Sequence, residues 1–416
     1  MSRLTAALVL LCFVGPLSTD MYLPAFPRMA VELGTDASGV QLTLTAFLVG
    51  MTLGHLVFGP LSDRYGRRGP LLAGAAVCAV ATTLCAVAPS PGWLIVLRFA
   101  AGFSGAAGVV IGRAVISDVA EGAAAARLFA VLMTLSGLAP VLAPLAGGAV
   151  IGVAGWRGVF WGLGGVALLA VLVVVAAVPE SLPKARRRTG GGRELLRAAR
   201  DVVSDGAYVG YTLTFAFAFG ALFCYIAGSP FLLQNVLGLS VGASSVAFSG
   251  GAVVAALSGA TTARLVGRVA PERLLRIGLY AVATAPVTLL AVTLAGALTV
   301  AVCLPLVALM CGGLGLVFAN AASLAIARVP ASAGTGSALL GTAQSALGAV
   351  VAPLVGMGGG DTAVPVFMGM ALCAVLAAVA AAVAGRRARD SRIRTLPRGP
   401  GHAAAPASTE AGAADA

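Results

Sequence analysis

Charge is what this sequence has least of. Asp, Glu, Lys and Arg make up 10% of its 416 residues, against about 25% in an ordinary soluble domain. With 59% hydrophobic residues and a mean hydropathy of +0.99, that deficit excludes a water-soluble globular protein. Lysine is almost missing, with Lys184 alone beside the arginines. The seven cysteines all fall inside apolar runs without metal-ligand spacing and read as small buried hydrophobes, so neither a disulfide framework nor a metal site is implied. No GxxxxGK[ST] nucleotide motif occurs, and a receptor or scaffold role is not expected, since no stretch of this sequence reads as an extramembrane domain. The formal net charge is +12, yet no basic face interleaved with aromatics exists, so no nucleic-acid partner is expected. Residues 1–14 have the profile of a signal peptide. They lack a small-x-small cleavage site and run straight into a second apolar stretch, so they read as a retained first helix.

What the sequence has instead is apolar length. A bilayer core of about 30 Å needs about 20 apolar residues per helix. Segments of that size lie near 4–26, 41–59, 70–88, 93–113, 128–150, 157–178, 207–229, 243–264, 273–293, 297–319, 334–356 and 362–384. The 55 glycines suit helices that approach closely through small residues. Connections after odd segments are short and nearly free of positive charge. Of 27 basic residues, 23 fall in the N-terminus, the even connections and the C-terminal tail. Positive charge is retained on the cytoplasmic side, so both termini are expected there, in a bacterial inner or plasma membrane.

Four regions follow: a six-helix bundle over 1–178, a basic cytoplasmic linker over 179–205, a second bundle over 206–384, and a basic, disordered tail over 385–416. Ala143-Pro144-Leu145-Ala146-Gly147 in segment 5 reappears as Ala352-Pro353-Leu354-Val355-Gly356 in segment 11. Two related halves of six helices with a central cavity are a transporter architecture.

Asp20 is the single carboxylate well inside any of the twelve segments. Such an acid is costly in lipid and usually faces a cavity and a partner. Asp20 and Arg98 have similar depths, so they are expected to approach each other or one aqueous cavity. A carboxylate so placed can carry protons; a permanent ion pair is the alternative. Pro24 and Pro27 leave segment 1 breakable just beyond it. Arg113, at the inner end of segment 4, lies five residues before Asp118 and reads as an interfacial arginine. His55 can relay protons or simply pack. Tyr22, Phe223, Tyr225, Asn320 and Gln344 are candidate cavity-lining groups, with helix packing as the alternative.

Several motifs carry a resemblance. Gly59-Pro60-Leu61-Ser62-Asp63-Arg64-Tyr65-Gly66-Arg67-Arg68 reads as a ten-residue polar hairpin and resembles the segment 2–3 signature of the major facilitator superfamily. Ser18-Thr19-Asp20-Met21-Tyr22-Leu23-Pro24 resembles the first-helix signature of its bicyclomycin/chloramphenicol-resistance branch, and 112–118 is similar to that branch too. Residues 94–102 resemble a segment-4 motif whose arginine, here Arg98, is linked to proton transfer. The stretch with Gly137, Pro140, Pro144, Gly147 and Gly148 resembles an antiporter motif. The sequence departs from these patterns at Ala101, Ala143 and His55.

The resemblance implies an all-α membrane protein of the major facilitator fold, with twelve transmembrane helices in two pseudo-symmetric bundles. It also implies a conformational latch, in which Asp63 reaches helix-terminal amides of the other half while Arg67 and Arg68 hold acidic groups or lipid. The expected protein is a monomer that exports small, largely apolar drugs against inward proton flow, with no cofactor beyond the proton gradient. Its partners are the drug, protons and the bilayer. A proton-linked importer, or an exporter of one metabolite, is the alternative on the same fold. An intramembrane enzyme would have only His55 and Asp20, placed near opposite faces.

Overall fold

The computed structural model describes residues 3–119, 122–183, 187, 192–265 and 268–395. Its long elements are all helices, and among the described residues there is no strand. The first half comprises α1 (Arg3–Asp20), the short α2 (Phe26–Glu32), α3 (Ala37–Tyr65), α4 (Arg68–Cys85), α5 (Pro91–Val119) and α6 (Gly122–Ala177). Helix α7 (Gly192–Ser204) lies in the linker. The second half comprises α8 (Gly206–Phe231), α9 (Val241–Leu265), α10 (Pro271–Leu294), α11 (Val300–Ile326), α12 (Ala333–Gly356) and α13 (Val364–Thr395). Helix α6 breaks at Gly155, whose φ of 66° only glycine adopts freely, and so supplies two crossings. Among the described residues ten helices are long and apolar enough to cross a membrane; α1 and the second arm of α6 bring the crossings to twelve. The face at which α1 begins and α13 ends is the terminal face, and the opposite one the far face.

Why the chain turns where it does is local chemistry. Asp205 caps α8, its carboxylate accepting from the amides of Ala207 and Tyr208 at 2.9 and 2.8 Å. Within the first half α3 packs on α5, and α4 and α1 on α6; within the second, α8 packs on α12 and α13, and α10 and α9 on α11. Small residues permit the closest approaches. A Cβ at Gly102 would collide with the backbone of Phe47, so α3 and α5 touch main chain to main chain.

Three expectations need correction. The polar hairpin is not a ten-residue turn: Gly59–Tyr65 finishes α3 as regular helix, and the reversal occupies only Gly66 and Arg67. Gly66 has a φ of 95°, which lets the chain turn in so few residues. The connection expected near 152–155 shrinks to Gly155 alone. Residues 385–395, expected in a disordered tail, continue α13 to Thr395. Ala and Arg are good helix formers, no proline intervenes before Pro397, and arginines suit a helix C-terminus. Most of the basic run at 184–188 and the tail from 396 lie outside the described residues.

Candidate functional site

Helix α1 ends at Asp20, and a 3-10 turn at Leu23–Ala25 leads into α2. Pro24 and Pro27 cannot donate amide hydrogens, so the helix breaks beside the acid rather than beyond it. Ending there leaves carbonyls of the last turn without next-turn donors. Arg98, on α5, supplies one: its Nη2 donates to the Ser18 carbonyl at 2.8 Å. A cation at a helix C-terminus is also favoured by the helix dipole.

The guanidinium is wholly buried. It lies 4.4 Å from the Tyr22 ring centroid, 4.2 Å from Phe47 and 5.9 Å from Phe160. These π faces share its charge where water is excluded. Tyr22 is fixed in turn by Thr43, with 3.2 Å between the two hydroxyl oxygens, and by ring contacts with Phe26 and Phe160. It therefore has no surface for a ligand in this conformation.

Asp20 is 6% exposed. Among the described residues its carboxylate makes neither an ion pair nor a hydrogen bond, so the expected contact with Arg98 is not a salt bridge. Both groups meet at the same turn of α1 instead. The Ser18 hydroxyl and the Nε and Nη1 atoms of Arg98 are buried there with no hydrogen-bond partner. A buried carboxylate that makes no ion pair and no hydrogen bond among the described residues can exchange a proton with little rearrangement.

The terminal face holds a second cluster. Arg67, nearly buried, donates to Asp63 at 2.5 Å, to Ser62 at 2.8 Å and to Asp118 at 3.0 Å. Its backbone amide donates to Glu180 at 2.8 Å, and Ser181 donates to Asp118 at 2.9 Å. Arg68 bonds the Val175 carbonyl at 3.1 Å, while Arg64 is set over the Tyr65 ring. Burial would raise Glu180, but amides of Arg67, Leu182 and Arg68 hold its carboxyl below the usual range. Asp63 therefore stays with its own half here, and the network unites α3, α5 and the start of the linker. Glu180 and Ser181 were missed in the sequence because they resemble ordinary linker residues.

The remaining candidates are dispersed. His55 is half-buried with Nε2 unpartnered, and Arg113 is exposed. Phe223 packs on Phe219 at 4.7 Å, and Tyr225 stacks on Phe248 at 5.5 Å with its hydroxyl buried and unpartnered. Asn320 spends its amide on the Leu316 carbonyl of its own helix, and Gln344 is half-buried. Pro140 and Pro144 are accommodated inside α6, and Gly137 has helical backbone there. A Cβ at Gly147 would strike the Met21 backbone, and one at Gly148 would strike Ser245. These two glycines seat α6 against the break in α1 and against α9 of the other half.

The halves meet toward the far face. Gln41 donates to the Ala227 carbonyl at 2.9 Å, Gln234 to the Pro24 carbonyl at 2.8 Å, and Ser249 to the Val141 carbonyl at 2.7 Å. Among the described residues no other hydrogen bond or ion pair joins them. At that face Glu32 accepts from Arg28 (2.7 Å), Trp156 (2.7 Å) and Arg157 (3.0 Å), clamping α2 to the Gly155 elbow. These partners draw the Glu32 carboxyl below its ordinary value, the Arg28 bond most and the Trp156 bond next.

Two bundles of six helices, facing each other across an uncharged seam, define a transporter-type membrane protein. The family model of the Major Facilitator Superfamily matches residues 8–353, and the chain belongs to that family. It is 35% identical to the uncharacterized MFS-type transporter YdgK of Bacillus subtilis, over 91% of this chain and 94% of that protein. It is 30% identical to the bicyclomycin resistance protein homolog of Haemophilus influenzae, over 89% and 93%. Among solved structures, a bacterial homolog of the human lysosomal transporter Spinster, inward-facing and unoccupied, superimposes with a TM-score of 0.72. That match covers 93% of this chain and 96% of the other at 17% identity, and so speaks to the fold alone.

Proposed function

We propose that the protein exchanges protons for small, largely apolar drugs of the chloramphenicol or bicyclomycin type, exporting the drug from a bacterial cell. The single observation that carries this reading is Asp20: a buried carboxylate, without an ion pair among the described residues, at the break of α1 whose Ser18 carbonyl a caged arginine holds. The drug-resistance name of a relative of nearly equal length supports the substrate class. The charge asymmetry of the connections supports cytoplasmic termini.

In this cycle Asp20 takes a proton from outside, which expels the drug, and returns it to the cytoplasm after the halves rock. Protonation and drug binding then oppose each other through one cavity, which couples the fluxes without direct contact. Arg98 tunes the proton affinity of the site through the α1 terminus it holds. Closure at the far face supports a conformation open to the cytoplasm. In the alternate state Asp63 leaves Arg67 and latches the other half, its charge favoured at a helix N-terminus.

Everted vesicles with an acidified interior test the reading. Chloramphenicol is expected to alkalinise that interior in vesicles carrying the wild-type protein and not in vesicles carrying Asp20→Asn at equal abundance. Chloramphenicol uptake confined to whole cells would instead favour an importer.

A further inference from the structure

A groove of about 730 Å³ runs between the terminal-face ends of α10 and α13. Helix α10 packs against α11 and α13, so the groove opens on the outer edge of the second half, away from the seam between halves. Its rim holds Arg276, Arg386 and Arg389, with Glu272 among them, and its floor includes Leu279, Ala378 and Ala382. The alanines of α13 make the trough by leaving side-chain volume out. Tyr280, 71% exposed, stands at its edge. None of the three arginines forms an ion pair among the described residues; Arg276 reaches only the Glu272 carbonyl, at 3.4 Å.

We propose that this groove binds one anionic phospholipid, its phosphate on Arg276, Arg386 and Arg389 and its acyl chains along the apolar floor. Charge complementarity selects this occupant. The rim carries three positive charges and one negative at one end of an apolar trough, the pattern of an amphiphile lying parallel to the helices. A basic pocket between transmembrane helices at a membrane surface suits an acidic headgroup. A soluble anion has no use for the floor, and an apolar drug has none for three guanidinium groups. The chain's own segment 396–416 offers Glu410 and Asp415 but also Arg398, so it complements the rim poorly. The site is independent of the drug and proton chemistry above.

The test uses the full-length chain in neutral detergent, titrated with phosphatidylglycerol or phosphatidylcholine and read by native mass spectrometry and thermal melting. Wild type is expected to retain phosphatidylglycerol about tenfold better, with a raised melting midpoint. In Arg276→Gln/Arg386→Gln/Arg389→Gln the preference falls to about twofold or less, while the corresponding triple Lys variant, which controls for folding, keeps most of it. Ala382→Trp fills the trough and abolishes retention with the arginines intact. An undiminished preference in the triple Gln variant would overturn the proposal. So would wild-type behaviour of Ala382→Trp, which would reduce the site to a basic surface. Displacement of the lipid by chloramphenicol, or a preference that emerges only after deletion of 396–416, would overturn it in favour of drug or tail.

Discussion

Asp20 and Arg98 show how one helix terminus can hold an acid and a cation apart, the one ending α1 and the other bound to its Ser18 carbonyl. Arg98 is fixed by the Ser18 carbonyl and by rings from three separate parts of the chain, so its position depends on a flat, weakly hydrated cation. Arg98→Lys keeps the charge and loses the plane. It is expected to cost about 2 kcal/mol, read as a lowered melting midpoint, together with impaired drug export. An unchanged midpoint would mean that the rings contribute nothing. Both charged residues are legible in the sequence because each interrupts an apolar run. Their relation is not, since the ring box assembles from positions 22, 47 and 160, which look like ordinary core aromatics. Nor does depth along a helix reveal that the arginine prefers a backbone carbonyl to the carboxylate.

At the scale of elements, the breaks do more than the helices. The break in α1 exposes the carbonyl that Arg98 reads, Gly66 turns α3 into α4, and Gly155 folds α6 back on itself. Proline and glycine make such places visible in advance, whereas the clamps beside them are tertiary. Arg67 and Asp118 were separately recognisable, but their 3.0 Å pairing needs α3 and α5 in register. Asp63→Ala is expected to lower the maximal rate of drug-driven proton exchange several-fold while drug affinity changes little; equal losses in both would remove the latch. The Glu32 clamp predicts a pH dependence. Its carboxyl sits below the ordinary range, so its contribution is present above the unfolded glutamate pKa of about 4.3 and lost as pH falls through the depressed value. The difference in melting midpoint between wild type and Glu32→Gln should therefore be constant near neutrality and vanish in acid. A difference independent of pH would leave the clamp without an electrostatic role.

For the whole molecule, what matters is how few polar bonds tie the halves, which otherwise meet by packing of α3 on α12 and of α6 on α9. Three neutral hydrogen bonds, from Gln41, Gln234 and Ser249, join them toward the far face. Each is worth about 1 kcal/mol, so a modest ligand or proton term can offset the polar part of the closure. Gln41→Ala with Gln234→Ala should raise the population open at the far face by about tenfold or more, seen as longer spin-label distances across that face. Unchanged distances would show that packing alone keeps it closed. The two-bundle fold was plain from twelve apolar runs and their charge asymmetry; the seam was not, because a glutamine in an apolar helix does not announce which carbonyl it will meet.

The most direct test of the central claim is a count of protons released when chloramphenicol saturates the purified protein, taken from about pH 5 to about pH 9. Wild type should release up to about one proton per chain within that range, and Asp20→Asn none at any pH. Equal release from both proteins, or none from either, would contradict the account.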